Sequence, residues 1–126
     1  MKKIILGILV PSLFLVGCQL KENYALQASF TNEVITKINM EVTSDGVKVD
    51  IPFADFSCEP ESFKPILERK SNDFIIILEG NETSERCSSK FSAKITGISS
   101  GTYWLKVVYK KGEEDQRILY EEFKVE

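Results

Sequence analysis

Three cysteines and two acidic runs are the residues of this 126-residue chain that could do chemistry, and there is no histidine to work with them. Without imidazole there can be no Ser-His or Cys-His nucleophile pair, no imidazole proton shuttle and no His-ligated zinc or copper. The acidic groups are Asp50, Asp55, Glu59 and Glu61 around Cys58, and the run Glu113-Glu114-Asp115. Carboxylates can hold calcium, but the D-x-[DN]-x-[DN]-G spacing of a calcium loop is missing, and acidic turns are ordinary solvated features of an acidic chain. Paired carboxylates for glycoside cleavage need a cleft and a fixed separation, which no spacing here supplies. The expectation is therefore no catalytic residue, no metal and no cofactor.

Cys18 has a different setting. Met1-Lys2-Lys3 is followed by an apolar run from Ile4 to Val16, broken by Gly7, Pro11 and Ser12, and then by Gly17-Cys18. The run is shorter than the roughly 20 residues of a spanning helix, and its charged start and small-residue end are those of a cleavable export signal. Leu15-Val16-Gly17-Cys18 resembles the lipobox of bacterial lipoproteins. That resemblance implies that residues 1–17 are removed, that Cys18 is acylated, and that its acyl chains hold the protein to a membrane at about 0.8 kcal/mol per buried CH2. It places the chain on the cell membrane or the outer membrane, facing periplasm or exterior. Gln19 stands where an Asp would imply retention at the inner membrane.

Loss of Lys2 and Lys3 takes the 16 basic residues to 14 against an unchanged 19 acidic, and the net charge from −3 to −5. No Lys/Arg stripe interleaved with aromatics offsets this, so nucleic acid is not an expected partner. Cys58 and Cys87 lie beyond the export signal, in a compartment where a disulfide persists. No C-x-x-C spacing suggests a redox pair, and one structural bridge worth roughly 3 to 4 kcal/mol is expected.

The elements around these residues read as strands. Tyr24, Leu26, Ala28 and Phe30 alternate and could form a short edge strand within an acylated tether over 18–29, ahead of a domain over 30–126. Val34, Thr36, Ile38, Met40 and Val42 share one face of a predicted strand. A turn at Thr43-Ser44-Asp45-Gly46 and the alternation Val47, Val49, Ile51, Phe53 complete a β-hairpin. Ala54 to Glu61 reads as a loop. Phe63 to Lys70 is open to a helical turn after Pro65, although the Ser71-Asn72-Asp73 turn and the run Phe74 to Leu78 favour a second hairpin. Gly80 to Ser89 reads as polar loop, and further strands carry Phe91, Ala93 and Ile95, then Tyr103, Leu105, Val107 and Tyr109, then Leu119, Phe123 and Val125. The expected fold is all-β, an antiparallel sandwich of seven to eight strands.

Ile95-Thr96-Gly97-Ile98 followed by Gly101-Thr102-Tyr103-Trp104-Leu105-Lys106-Val107 resembles the turn into strand F of immunoglobulin-like and fibronectin type III-like sandwiches, with Tyr103 in the tyrosine-corner position. A Trp on the third strand and a Cys two residues after the tyrosine are missing. If the strand ending at Phe53 and the one beginning near Phe91 are antiparallel neighbours, Cys58 and Cys87 sit just beyond adjoining ends, where a bridge can form. With Tyr103, Leu105 and Val107 facing the core, Trp104, Val108 and Tyr120 fall on the opposite face, where an exposed Trp beside aliphatics would anchor a protein partner. Asn81-Glu82-Thr83 matches the eukaryotic glycosylation sequon, which carries no meaning behind a bacterial lipoprotein signal.

The expected function is that of a lipid-anchored, non-enzymatic binding or assembly module of the cell envelope, its partners the membrane through Cys18 and an envelope protein. The alternative is an inhibitor or ligand-capture lipoprotein using the loops stapled by Cys58 and Cys87. For it, Ser100-Gly101-Thr102-Tyr103 is similar to the Ser-Gly-x-x-Tyr loop of membrane-bound lysozyme-inhibitor lipoproteins, one residue short.

Overall fold

The computed structural model describes residues 24–126. The expected signal peptide, Cys18 and the first part of the expected tether lie outside the described residues. Where apolar and polar residues alternate, the chain forms eight strands: β1 (Ala25–Thr31), β2 (Asn39–Thr43), β3 (Gly46–Ser57), β4 (Ile66–Lys70), β5 (Asp73–Leu78), β6 (Arg86–Thr96), β7 (Gly101–Lys111) and β8 (Glu114–Val125). One 3-10 turn, Pro60–Ser62, follows β3. The strands make two four-stranded sheets, in the orders β1-β6-β3-β2 and β4-β5-β7-β8. The fold is the expected all-β sandwich.

Every pairing is antiparallel except that of β5 with β7, which is parallel. The intervening β6 crosses to the other sheet, so the chain re-enters the second sheet in the direction in which it left it, and parallel neighbours need such a crossover. Between the sheets lies one core, supplied by alternate residues of each inner strand. β3 contributes Val47, Val49, Ile51 and Phe53, β6 Phe91, Ala93 and Ile95, β5 Phe74, Ile76 and Leu78, and β7 Tyr103, Leu105, Val107 and Tyr109.

The β2–β3 hairpin closes on Ser44-Asp45, with Thr43 paired to Gly46. Gly46 packs so close to β6 that an added Cβ would overlap the Ile95 carbonyl oxygen, and only glycine fits there. The turn is tied to the corner between β6 and β7. The amides of Gly97 and Ile98 donate to Asp45, to its carboxylate at 3.3 Å and its carbonyl at 2.9 Å.

Three stretches differ from expectation, 32–38, 54–57 and the strand residues 86–89 within the expected loop Gly80 to Ser89, while two expected strand arrangements form. Residues 32–38 are not strand, and Val34, expected on a buried face, is 78 % exposed; β2 keeps only Met40 and Val42 of that alternation. The edge strand expected in the tether is β1, seven residues paired in register with β6, and it runs across the expected boundary at 29/30. Ala54 to Ser57 is not loop. A bulge between Phe53 and Phe56 absorbs one residue, and β3 continues to pair with the start of β6 as far as Ser57–Arg86. Of the two readings of Phe63 to Lys70, the favoured hairpin is the one that forms: β4 and β5 are joined through Ser71-Asn72, with Ser71 at a positive φ of 56°.

The two ends of the sandwich differ. Tyr24, the β2–β3 turn, the Ser71-Asn72 turn and the β6–β7 corner lie at one end. The loops after β3 and β5 and the β7–β8 turn lie at the other.

Candidate functional site

Cys58 and Cys87 form a disulfide with their Cα atoms 5.0 Å apart. Cys87 pairs with Phe56 across the β3–β6 ladder and Cys58 follows β3 directly, so the bridge closes two strands of one sheet at the end away from Tyr24. Hydrogen bonds reinforce it. The Cys58 amide donates to Thr83 Oγ1 at 2.8 Å, the buried Ser57 hydroxyl to the Asn81 carbonyl, and the Asn81 amide to Ser62 Oγ at 2.8 Å. The sequon residues Asn81 and Thr83 thus hold the two loops together.

Beside the bridge lies an ion cluster that local sequence patterns do not announce. Arg86, the first residue of β6, donates from Nε to Asp55 Oδ1 at 2.7 Å, from Nη1 to Glu82 Oε1 at 2.9 Å and to the Thr83 carbonyl at 3.0 Å, and from Nη2 to the Asp55 carbonyl at 3.0 Å and Tyr109 Oη at 3.1 Å. The Tyr109 hydroxyl donates to the Glu82 carboxylate at 2.8 Å, and Lys111 Nζ lies 3.2 Å from Asp55. Arg86 and then Lys111 hold the Asp55 carboxyl below its ordinary range. Burial, followed by the Glu82 carboxylate, pushes the Tyr109 hydroxyl up. With its donors engaged, Arg86 serves as a strut between the bulge of β3, the loop after β5 and β7. Asp55 is exposed in the bulge. The signals in the sequence are the acidic residues around Cys58 and the Arg next to Cys87, separated from Asp55 by 31 residues.

Beyond the strut, Glu59, Glu79, Gly80, Asn81, Glu82, Lys110 and Gly112 line an open depression of about 540 Å³. Among the described residues no group of three or more Asp, Glu or Cys is placed to hold a metal ion. Ser100 to Tyr103 lies at the opposite end. Tyr103 is buried there, its hydroxyl donating to the Ser99 carbonyl at 2.9 Å, so these residues do not join the stapled loops.

The outer face of the second sheet is the other candidate. Trp104, Val108 and Tyr120 all lie on it, as their alternation with Tyr103, Leu105 and Val107 requires. Trp104 and Tyr120 sit on adjacent strands with ring centroids 4.7 Å apart, and Arg117 stands 5.5 Å over the Tyr120 ring. Val108 pairs with Ile77 on β5, and Ile77 pairs in turn with Ile66 on β4, which is 50 % exposed. Ile75 completes the patch, with Lys106 beside it and opposite Tyr120. The result is a strip with two parts, Ile66, Ile77, Ile75 and Val108 on β4, β5 and β7 and the Trp104–Tyr120 pair on β7 and β8, with Lys106 between them. No family model, curated protein or solved structure matches the chain.

Proposed function

We propose that the chain is a lipid-anchored envelope lipoprotein whose sandwich is a non-enzymatic binding or assembly module, with the strip of Trp104, Tyr120, Val108, Ile77, Ile75 and Ile66 as its partner surface. The carrying observation is that strip. Sheet faces open to water usually present polar residues, and aromatic anchors beside aliphatics form the centre of protein interfaces. Tyr24 supports the orientation: a chain acylated at Cys18 enters β1 at one end of the sandwich, which leaves the disulfide end turned away from the membrane.

The finer reading of the fold is a variant of the immunoglobulin-like or fibronectin type III-like sandwich. The Tyr103 hydroxyl on the Ser99 carbonyl supports it, being the contact that a tyrosine corner makes. The parallel β5–β7 pair departs from that pattern.

The second reading, ligand capture at the stapled loops, draws on the depression beside Glu59 and Glu82. A crosslinking pull-down of the acylated protein from its own envelope separates the two. Loss of a captured envelope protein on Trp104→Ala, with capture intact in Glu59→Ala and Glu61→Ala, supports the strip; the reverse pattern supports the loops. Cys18→Ser releases the protein from membranes if the anchor is read correctly, and continued membrane partitioning of that variant refutes it.

A further inference from the structure

Four strands form the edges of this sandwich, and three of them carry devices that discourage pairing with another strand. β4 has only five residues, follows Lys64-Pro65 and turns Arg69 inward, opposite Phe74. β8 has a bulge against Val107/Val108, and Glu121 sits on its inner side opposite Leu105. β2 has five residues, includes Glu41 and packs beside β8. Short length, inward charge, proline and bulges are the means by which proteins blunt free edges. β1 has none of them. Its seven residues, Ala-Leu-Gln-Ala-Ser-Phe-Thr, are uncharged and run in unbroken register with β6, and every second residue turns its backbone N–H and C=O outward along an edge that has no strand beside it among the described residues.

The side chains of β1 are also symmetric about its middle residue. On the inner side Leu26 and Phe30 flank Ala28, both half-buried against the core. On the outer side Gln27 and Ser29 flank it, and Ala25 and Thr31 end the strand. A second β1 laid antiparallel with Ala28 opposite Ala28 would set Leu26 against Phe30, Gln27 against Ser29 and Ala25 against Thr31. Each pairing matches apolar with apolar or small polar with small polar, and none opposes like charges.

We infer that the free edge of β1 pairs with β1 of a second copy of this chain, joining two sandwiches into one eight-stranded sheet across a two-fold axis at Ala28. An isologous contact of this kind closes on itself and yields a dimer rather than a filament. The pairing depends on neither the lipid anchor nor the Trp104 strip.

Cysteine crosslinking of the full chain tests it. Ala28→Cys should give a covalent dimer under oxidising conditions, lost on reduction, about tenfold above both the unsubstituted chain and the exposed control Thr102→Cys. Differently tagged Gln27→Cys and Ser29→Cys chains, mixed, should crosslink to each other in excess of either with itself, since residue 27 faces residue 29 of the partner copy. This second pair replaces surface side chains only and decides the matter if Ala28→Cys folds poorly. Dimer no greater than in the Thr102→Cys control together with random pairing in the mixture, or capture of a different polypeptide at residue 28 in place of a second copy, overturns the proposal.

Discussion

Arg86 Nε stands 2.7 Å from Asp55 Oδ1, joining the bulge of β3 to the first residue of β6. The pairing explains why β3 carries on through a stretch that reads as loop: the bulge turns Asp55 toward a guanidinium that also holds Glu82 and Tyr109.

The ion pair makes stability depend on acid. Asp55 titrates below its ordinary value of 3.8 in the folded protein, chiefly because of its hydrogen bond from Arg86. A lowered carboxyl value means that the contribution is complete above the unfolded value and is lost as pH falls below it. Urea midpoints measured from about pH 7 to about pH 3 should therefore fall less steeply for Asp55→Asn than for the unsubstituted protein. Parallel curves would show that the pair contributes nothing.

Removing Arg86 itself should cost more at neutral pH. Arg86→Ala leaves the Glu82 carboxylate, only 24 % exposed, facing the Tyr109 hydroxyl without its cation. We expect a loss of about 1 to 3 kcal/mol by denaturant unfolding. Arg86→Lys, which keeps the charge and loses the fork, should recover part of it.

Phe56 and Val34 invert what hydrophobicity alone suggests. Phe56 falls in a stretch that reads as loop, yet it is fully buried and packs on Phe30, Phe53, Phe63 and Tyr109 at centroid distances of 5.2, 4.8, 4.7 and 5.0 Å. Phe56→Ala should cost about 3 to 5 kcal/mol. Val34→Ala should change stability by less than about 0.5 kcal/mol. Equal effects in thermal or urea unfolding would contradict the placement of β2 and β3.

That inversion marks where the sequence is legible and where it is not. Period-two alternation locates strands whose inner face is continuously buried, as in Phe74-Ile76-Leu78 and Tyr103-Leu105-Val107-Tyr109. It fails before Asn39, where the alternation of Val34 and Thr36 meets no second sheet, and at Ala54-Asp55, where a bulge shifts the phase. Alternation alone puts Trp104, Val108 and Tyr120 on one face. The Arg86 strut is not legible, because its partners come from three separated segments and no local period records them. The Cys58–Cys87 bridge is legible because the two cysteines lie just beyond strand ends that the alternation makes neighbours.

Two tyrosines beside Arg69 make a paired test of hydroxyl bonding. Tyr103 donates to the Ser99 carbonyl, whereas the buried Tyr24 hydroxyl has no hydrogen-bond partner among the described residues and its ring lies edge-on to Phe74 at 4.9 Å. Tyr103→Phe should lower stability by about 1 kcal/mol, and Tyr24→Phe should be neutral or slightly stabilising. A loss of similar size in both would show that Tyr24 is bonded.

Trp104→Ala separates a binding role from a structural one. Were the indole part of the fold, its removal would resemble a core truncation of about 3 to 5 kcal/mol. The structure instead sets Trp104 on the outer face, where its chief aromatic contact is Tyr120 and where such a pair is worth about 0.5 to 1.5 kcal/mol. The expected result is a small loss of stability, matched by Tyr120→Ala and not additive with it, because each substitution removes the same contact. Capture of an envelope partner should fall in both single variants while the melting temperature stays within a few degrees of the parent. A large drop in melting temperature for Trp104→Ala would make the indole structural and remove the strip as a docking surface.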